Sequence, residues 1–251
     1  AIGGSFSRIQ MTPDLLPSDI LGSSFYDIAK GKFEIRLGPI FANVVLVDEM
    51  NRASPKTQAA LLEAMQERQV TIEGKSFPLP DPFLVIATQV PVTEGSYPLT
   101  ETLVDRFAVK VDLGLPSEVD ELRILKRVDL IETGTVNTVM TPLQIKRIVE
   151  STRKVYVSDE IHMYIINIVR WLRGLRFLRM PPSPRASIWL LKLSRAHALL
   201  EGRDYVIPDD VKAVAKYALS HRIILTPDAE AEGLRPQDIL EKCMKEVPVP
   251  K

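Results

Sequence analysis

The feature that most constrains the fold is a short apolar run that ends in two acidic residues. Val44–Val47 are all apolar, and Asp48 and Glu49 follow them directly. A short, continuously apolar run is typical of a strand buried in a parallel sheet. In open α/β folds, functional groups gather at the carboxyl ends of such strands. The run therefore predicts a parallel sheet with two carboxylates at its C-terminal edge.

The acidic pair has the chemistry of a Mg-nucleotide hydrolase. Successive side chains of an extended segment point to opposite sides of a sheet, so we expect Asp48 and Glu49 to face different ways. One carboxylate can then hold Mg²⁺, directly or through water, while the other orients or deprotonates the attacking water. Solvent-exposed strand ends also carry such pairs, so the pair alone leaves a purely structural interpretation open.

Further strands and helices alternate along the first half of the chain. Turn and capping residues separate them, and Ser54 is expected to cap the helix that follows the acidic pair. The predicted segments are a strand at Ser5–Met11, a hairpin at Phe25–Phe41, a helix from Pro55, a hairpin at Val70–Leu79, a buried strand at Phe83–Ala87 and a strand at Ala108–Leu113. This alternation predicts an α/β fold whose parallel sheet is covered on both faces.

The second half of the chain has helical periodicity. Ser158 is a candidate N-cap, and Thr141–Gln144 has the sequence of a capping box with proline at the first helical position. Further helices are predicted from Pro184 to Leu200, from Pro208 to His221 and from Pro236 to Lys245. We therefore divide the chain into an α/β core, residues 1–115, and an α-helical domain, residues 116–251.

Composition and charge exclude several classes of protein. With 45% hydrophobic and 25% charged residues, the 251-residue chain has the composition of a folded, water-soluble protein. Its formal net charge is zero, which argues against nucleic-acid binding through overall charge and against a polybasic membrane anchor. The longest apolar runs fall far short of the ~20 residues that a membrane helix requires. We therefore expect a cytoplasmic protein without a membrane-inserted segment.

Cysteine and histidine usage argues against a metal centre built from these residue types. The single cysteine, Cys243, excludes an intrachain disulfide and a cysteine-rich zinc site, and it fits a reducing compartment. The three histidines lie far apart in sequence, without the spacing of a zinc motif. We expect core or surface roles for all of these side chains.

Long motifs in both halves resemble the MoxR family of AAA+ ATPases. The resemblance covers nearly the whole chain, and it implies an AAA+ core with a P-loop-type parallel sheet, followed by an α-helical lid domain. The matching segments are Phe6–Asp19, Gly38–Asn43, Asp48–Thr71, Tyr97–Leu99, Asp105–Phe107, Ser183–Ser187, Gly202–Ala215 and His221–Pro227. The family uses ATP and Mg²⁺, so the resemblance implies both ligands here.

The resemblance assigns roles to four residues. Asp48 matches the Walker B aspartate that binds Mg²⁺, and Glu49 matches the carboxylate that acts on the hydrolytic water. Arg106 matches the arginine finger that reaches a neighbouring subunit's nucleotide, where a guanidinium stabilises charge on the transferred phosphoryl group. Arg185 matches the lid arginine that contacts the nucleotide and reports its state.

Each arginine also has a structural interpretation, which the sequence leaves open. Arg106 could form an ion pair with Asp105 or Glu101, and Arg185 could face the solvent at a helix start. Arg52 is a third arginine, close enough to the acidic pair to serve a subunit contact. The two predicted hairpins resemble family insertions that would contact or remodel a partner, or they are structural additions.

The first departure from the family pattern is the absence of the loop that binds the nucleotide phosphates. No GxxxxGK[ST] sequence, the loop that cradles phosphates, occurs in the chain. Ala1–Gly4 resemble the tail of the helix that follows this loop in the family. We therefore expect an N-terminally incomplete core that lacks the Walker A strand, loop and helix, and we expect the chain by itself to be inactive.

The second departure concerns the sensor. Where the family has an asparagine, this chain has Val90, whose side chain cannot donate a hydrogen bond. Thr88 and Gln89 are the candidates to replace it at the nucleotide. The loop from Pro91 to Tyr97 is also shorter than the family's.

The leading hypothesis is a MoxR-type ATPase that works as a homo-oligomeric ring, a hexamer as in the family. ATP hydrolysis would move the lid and the hairpins and thereby remodel or activate a partner protein, as a chaperone does, or assist metal-cofactor insertion. The alternative is a non-catalytic, nucleotide-responsive scaffold, which Val90 and the absent loop motivate. A DNA-remodelling ATPase is a third hypothesis, which the zero net charge does not favour.

Overall fold

The computed structural model describes residues 1–91 and 95–250. In its first half, short strands alternate with short helices. The elements are β1 (Phe6–Gln10), α1 (Pro17–Leu21), β2 (Gly22–Asp27), β3 (Lys32–Leu37), β4 (Val44–Asp48), α2 (Pro55–Ala59), α3 (Leu61–Glu67), β5 (Gln69–Ile72), β6 (Lys75–Pro78), β7 (Leu84–Ala87) and α4 (Glu101–Val104). The predicted cap of α2 is confirmed, because Ser54 Oγ accepts a hydrogen bond from Thr57 N at 3.3 Å.

β1, β4 and β7 form a parallel sheet, as the sequence predicts, and β4 is its middle strand. One face of the sheet is buried, through side chains such as Val45 and Val47. On the opposite face, Phe6, Leu84 and Ile86 are 65%, 50% and 47% exposed. The prediction of a sheet covered on both faces, with a buried β7, is therefore wrong for the part of the chain that the structure describes. β7 is an edge strand there, and its outer face meets solvent.

Both predicted hairpins are confirmed. β2 pairs antiparallel with β3, and β5 pairs antiparallel with β6. Gly31 and Gly74 lie in the two turns with φ of 62° and 74°. Glycine adopts this left-handed region without the steric cost that a Cβ imposes, so these two residues set the positions of the turns.

Ala108–Leu113 is not a strand, which contradicts the prediction. The amide of Lys110 donates to Tyr217 O at 3.0 Å, in the second half of the chain. An alternating apolar segment becomes a strand only where another strand edge supplies its hydrogen-bond partners. Among residues 1–91 and 95–250, no strand pairs with this segment.

The N-terminal residues lie against the second half of the chain rather than in a helical turn. Ile2 forms a parallel bridge with Met140. Gly3 N donates to Met140 O at 2.8 Å, and Val139 N donates to Ala1 O at the same distance. The expected helical tail at Ala1–Gly4 is therefore not observed.

The second half is mainly helical, with one small antiparallel pair of strands. Its elements are α5 (Glu118–Leu125), α6 (Val128–Thr133), α7 (Pro142–Lys154), α8 (Asp159–Arg173), β8 (Leu178–Met180), α9 (Pro184–Leu200), α10 (Pro208–Leu219), β9 (Ile224–Leu225), α11 (Pro227–Ala231) and α12 (Pro236–Glu246). The helical prediction is confirmed, and the β8–β9 pair is an addition that sequence periodicity did not predict.

α8 supplies the centre of the core of this half. Ile161, Ile165, Ile168 and Leu172 recur at helical spacing and are all buried, against α9, α10 and α12. Burying an apolar side chain of this size contributes about 1.5–3 kcal/mol. Cys243, on α12, is buried in the same cluster, and burial raises the pKa of its thiol to about 12. The interpretation of Cys243 as a small apolar core residue is therefore confirmed.

Local capping signals are also reproduced. Thr141 and Gln144 form the predicted capping box at the start of α7, and Ser158 caps α8. By contrast, α5 and α6 bury no residue. Within the described part of the chain, every helix is too short or too polar to cross a lipid bilayer.

Candidate active site

The acidic pair lies where the sequence places it, at the carboxyl end of the central strand. Asp48 is the last residue of β4, and Gln10 on β1 is its register partner. Thr88 Oγ1 donates to Asp48 Oδ1 at 2.5 Å, and Arg8 Nη2 donates to Asp48 Oδ2 at 2.5 Å. These hydrogen bonds, from Thr88 first and then Arg8, lower the pKa of Asp48. Asp48 is therefore a carboxylate anion at neutral pH.

Glu49 departs from the extended geometry that the alternation rule assumes. Its backbone is left-handed, with φ 54° and ψ 50°, so the prediction that the two acids alternate as in a strand is wrong at Glu49. Gln10 Nε2 donates to Glu49 Oε2 at 3.0 Å, and Arg52 Nε lies 3.1 Å from the same oxygen. A non-glycine residue in this region is strained, and such strain concentrates at functional sites.

Thr88 links the side chain of Asp48 to the backbone of Glu49. Its hydroxyl accepts a hydrogen bond from Glu49 N at 2.8 Å while it donates to Asp48. Gln89, the other candidate from the sequence, is exposed beside it. The structure thus brings Asp48, Glu49 and Thr88 into one hydrogen-bonded group at the sheet edge.

The backbone of Val90 is held by hydrogen bonds to the side chain of Asn51. Asn51, fully buried in the 3₁₀ turn after β4, donates from Nδ2 to Val90 O at 3.0 Å and accepts from Val90 N at 3.2 Å. The same residue accepts from Tyr97 N through its carbonyl at 2.7 Å. Residues 92–94, which include part of the loop predicted to be short, lie outside the described residues.

The donor set fits Mg²⁺. Two carboxylates and a hydroxyl are hard oxygen ligands, and Mg²⁺ in nucleotide sites takes one or two carboxylates and completes its shell with water and phosphate oxygens. Among residues 1–91 and 95–250, no group of three or more histidine, cysteine, aspartate and glutamate side chains could form an all-protein cage. Asp48 and Glu49 therefore match a site shared with a nucleotide better than a site for a metal alone.

Arg106 lies at the end of α4 and is not in either ion pair that the sequence left open. Its Nη1 donates to Gln66 Oε1 on α3, and its Nε is buried without a partner in the described residues. Glu101 instead pairs with Arg179 at 2.5 Å. The guanidinium of Arg106 is thus free of a counter-ion within the part of the chain that the structure describes.

Asp105, the residue before Arg106, meets the second half of the chain. Arg222 Nε donates to Asp105 Oδ1 at 3.0 Å, and Ser183 Oγ donates to Oδ2 at 2.7 Å. Arg185 Nη1 lies 3.4 Å from Oδ2. Arg185 therefore has a specific partner, while its side chain is still 40% exposed to solvent.

Several of these residues were not predicted as site residues. Arg8 and Gln10 lie two apart on β1, so they share a face, and the parallel register brings that face to the acidic pair. That spacing was a usable signal. Asn51, Asp105 and Arg222 carry no local signal, because the contacts that Asn51 makes with Val90, and Asp105 with Arg222, span 39 and 117 positions in sequence.

Comparisons with known proteins agree on one family. Residues 1–109 match the ATPase family associated with various cellular activities (AAA), and residues 177–243 match the AAA lid domain. The uncharacterized protein YeaC of Bacillus subtilis is 46% identical, over 100% of this chain and 79% of its own length. Chaperone MoxR1 of Mycobacterium tuberculosis is 40% identical, over 99% of this chain and 68% of its own length. A solved structure of a Cytophaga hutchinsonii protein, named for a presumed ATPase activity, has a TM-score of 0.90 at 41% identity and covers 100% of this chain and 79% of that one.

Proposed function

Because this chain belongs to the MoxR family of AAA+ ATPases, we propose that it forms the hydrolytic half of an ATP site and acts in a chaperone-like ATPase. The observation that carries the proposal is the hydrogen-bonded group of Asp48, Thr88 and Glu49 at the carboxyl edge of the sheet. Open α/β folds bind their ligands at this edge. The fold is that of the family, and the roles of the individual residues are proposed from their contacts.

In this proposal each residue at the edge has a distinct task. Asp48 would hold Mg²⁺, which supplies neutralisation of the phosphate charge when bound. Glu49 would orient the attacking water and accept its proton, with Gln10 and Arg52 fixing its carboxylate. Thr88 would stand in for the sensor asparagine, since its hydroxyl already bridges the Asp48 carboxylate and the Glu49 backbone amide.

Arg106 and Arg185 would contact a nucleotide from positions outside the carboxyl edge of the sheet. Arg106, which has no counter-ion among the described residues, would reach the nucleotide of a neighbouring subunit in a ring, a hexamer by analogy with the family. Arg185 would contact the nucleotide from the lid. Hydrolysis would then shift the lid and the two hairpins against a client protein. The division into residues 1–115 and residues 116–251 remains part of this proposal.

The test is ATP turnover by protein expressed from the complete gene. Glu49→Gln keeps the size and the hydrogen bonds of the side chain but removes its basicity. We expect turnover to fall by at least about 100-fold, while the affinity for a fluorescent ATP analogue stays unchanged. Glu67→Gln, at an exposed position of α3, is the matched control and should behave as wild type.

Two results would contradict the proposal. If Glu49→Gln hydrolyses ATP at the wild-type rate, Glu49 is not the catalytic carboxylate. If wild-type protein binds nucleotide but neither it nor Glu49→Gln hydrolyses ATP above the protein-free background, the protein is a nucleotide-responsive scaffold. Val90, at the sensor position, is the feature that favours this second function.

A further inference from the structure

Arg222 is a buried arginine that forms hydrogen bonds with the residues on either side of Arg106 in the chain. Its side chain is 1% exposed. Nε donates to Asp105 Oδ1 at 3.0 Å, and Nη2 donates to Asp105 O and to Phe107 O, both at 2.8 Å. Nη1 donates to Ala218 O, at the end of α10. The guanidinium thus binds the residue before Arg106 and the residue after it.

These contacts join two regions that are distant in sequence. Arg222 lies 117 residues from Asp105, in the 3₁₀ turn between α10 and β9. The adjacent His221 adds a second link, with Nε2 3.0 Å from Phe107 O. The backbone that carries Arg106 is therefore fastened to the region that matches the AAA lid domain.

The geometry requires an arginine rather than a positive charge alone. A planar guanidinium presents donors in fixed directions, so one side chain can satisfy a carboxylate and three carbonyls at once. A lysine at this position carries the same charge but has a single nitrogen. Its three donors share that one nitrogen, so they cannot serve all four of these acceptors, and at least one of the four loses its Arg222 partner in a buried site.

We propose that Arg222 is a positioning residue for Arg106: it fixes the turn that aims the arginine finger and couples that turn to the lid. The inference rests on the proposed function, because it assigns a role to Arg106 in hydrolysis. It goes beyond it, because it names the lid residue that controls the finger. Arg185 shares the carboxylate of Asp105, so both lid arginines act on the same turn.

The experiment is a double-mutant cycle in protein expressed from the complete gene, with Arg106→Ala, Arg222→Lys and the double variant. We expect Arg106→Ala to lower kcat on the order of 10³-fold. Arg222→Lys should lower kcat by about 10-fold or more without changing the affinity for ATP, because it misaims a group that acts in the transition state. The double variant should be no slower than Arg106→Ala, since Arg222 acts through Arg106.

A purely structural role would give a different pattern. Arg222→Lys would then weaken ATP binding and kcat together, and its loss would multiply with that of Arg106→Ala, which overturns the inference. Arg235→Lys, at an exposed ion pair with Asp238, is the matched control and should leave kcat unchanged. If wild type shows no turnover above Glu49→Gln, the proposed function fails and this inference fails with it. If wild type turns over and the losses multiply, only the inference fails.

Asp105→Asn covers the case in which Arg222→Lys does not fold, as judged by its thermal unfolding. It keeps the volume and an acceptor oxygen for Arg222 Nε but removes the charge. We expect a lower kcat that again does not add to Arg106→Ala. A wild-type kcat, or an additive loss, would overturn the proposal.

Discussion

Asp105 and Asp210 are two buried aspartates that are each bound by an arginine, but the arginines come from very different distances. Arg203 lies 7 residues before Asp210 and forms a bidentate pair with it, at 2.7 and 2.5 Å. Arg222 lies 117 residues from Asp105. Asp210 is also bound by His197 Nδ1 at 2.7 Å. Both clusters pair an aspartate with an arginine. They differ in how far apart in sequence the paired residues lie.

The difference in span suggests a difference in task. Asp210 also accepts from Ile207 N at 2.8 Å, so it caps the start of α10. Its cluster therefore connects helices within the second half of the chain. The Asp105 cluster connects the turn that carries Arg106 with the second half of the chain. We therefore expect damage at Asp210 to appear in stability, and damage at Asp105 to appear in turnover.

The largest expected effect on stability follows removal of the Asp210 carboxylate. Asp210→Ala leaves the Arg203 guanidinium without its partner in a mostly buried site, and breaking a buried pair on one side costs about 3 kcal/mol. Urea unfolding of the purified protein measures this loss. Asp209→Ala, one position earlier and 79% exposed, should leave the midpoint close to wild type. Equal urea midpoints for Asp210→Ala and Asp209→Ala would show that the Asp210 cluster does not stabilise the fold.

A smaller effect is expected from pH, in a different range for each cluster. Burial and the charge of Arg222 lower the pKa of His221 to about 4 from 6.5, so an unfolded chain binds this proton first as pH falls. Stability contributed by His221 is therefore present above pH 6.5 and is lost as pH falls from 6.5 to about 4. Burial opposes ionisation of Asp210, but its hydrogen bonds, led by Arg203, outweigh burial and lower its pKa from 3.8 to about 2. Its contribution is lost below pH 3.8.

Unfolding free energies measured across both ranges separate the two clusters. His221→Gln should flatten the upper range, where the lowered pKa of His221 contributes on the order of 3 kcal/mol to the loss in wild type, and leave the lower range unchanged. Asp210→Asn should flatten the lower range. The unfolding free energy of His221→Gln could instead fall between pH 6.5 and 4 as steeply as that of wild type. That result would show that the folded protein does not hold His221 neutral.

The same contrast between local and distant contacts explains which parts of the fold the sequence could predict. Helix caps such as Thr141 and Ser158 and the hairpin turns at Gly31 and Gly74 depend on residues within a few positions, so their patterns were sufficient. The burial of β7 and the state of Ala108–Leu113 depend on which other strands lie alongside, and local pattern does not contain that information.

The candidate site divides in the same way. Asp48 and Glu49 were predicted because an apolar run leads directly to them, and Thr88 because the family resemblance places the sensor position at the nearby Val90. Arg8 could have been found from its face on β1. The junction of Asp105 with Arg222 could not, since only the folded chain brings the two residues together.

The most direct test of the account is to mix two inactive variants. In protein from the complete gene, Glu49→Gln lacks the proposed catalytic carboxylate and Arg106→Ala lacks the proposed arginine finger. If each ATP site combines Glu49 of one subunit with Arg106 of the next, random mixed rings contain some intact sites. We predict that an equimolar mixture recovers about a quarter of wild-type turnover, the fraction expected for pairwise interfaces in a closed ring. A mixture no more active than the two variants measured separately would contradict the shared site.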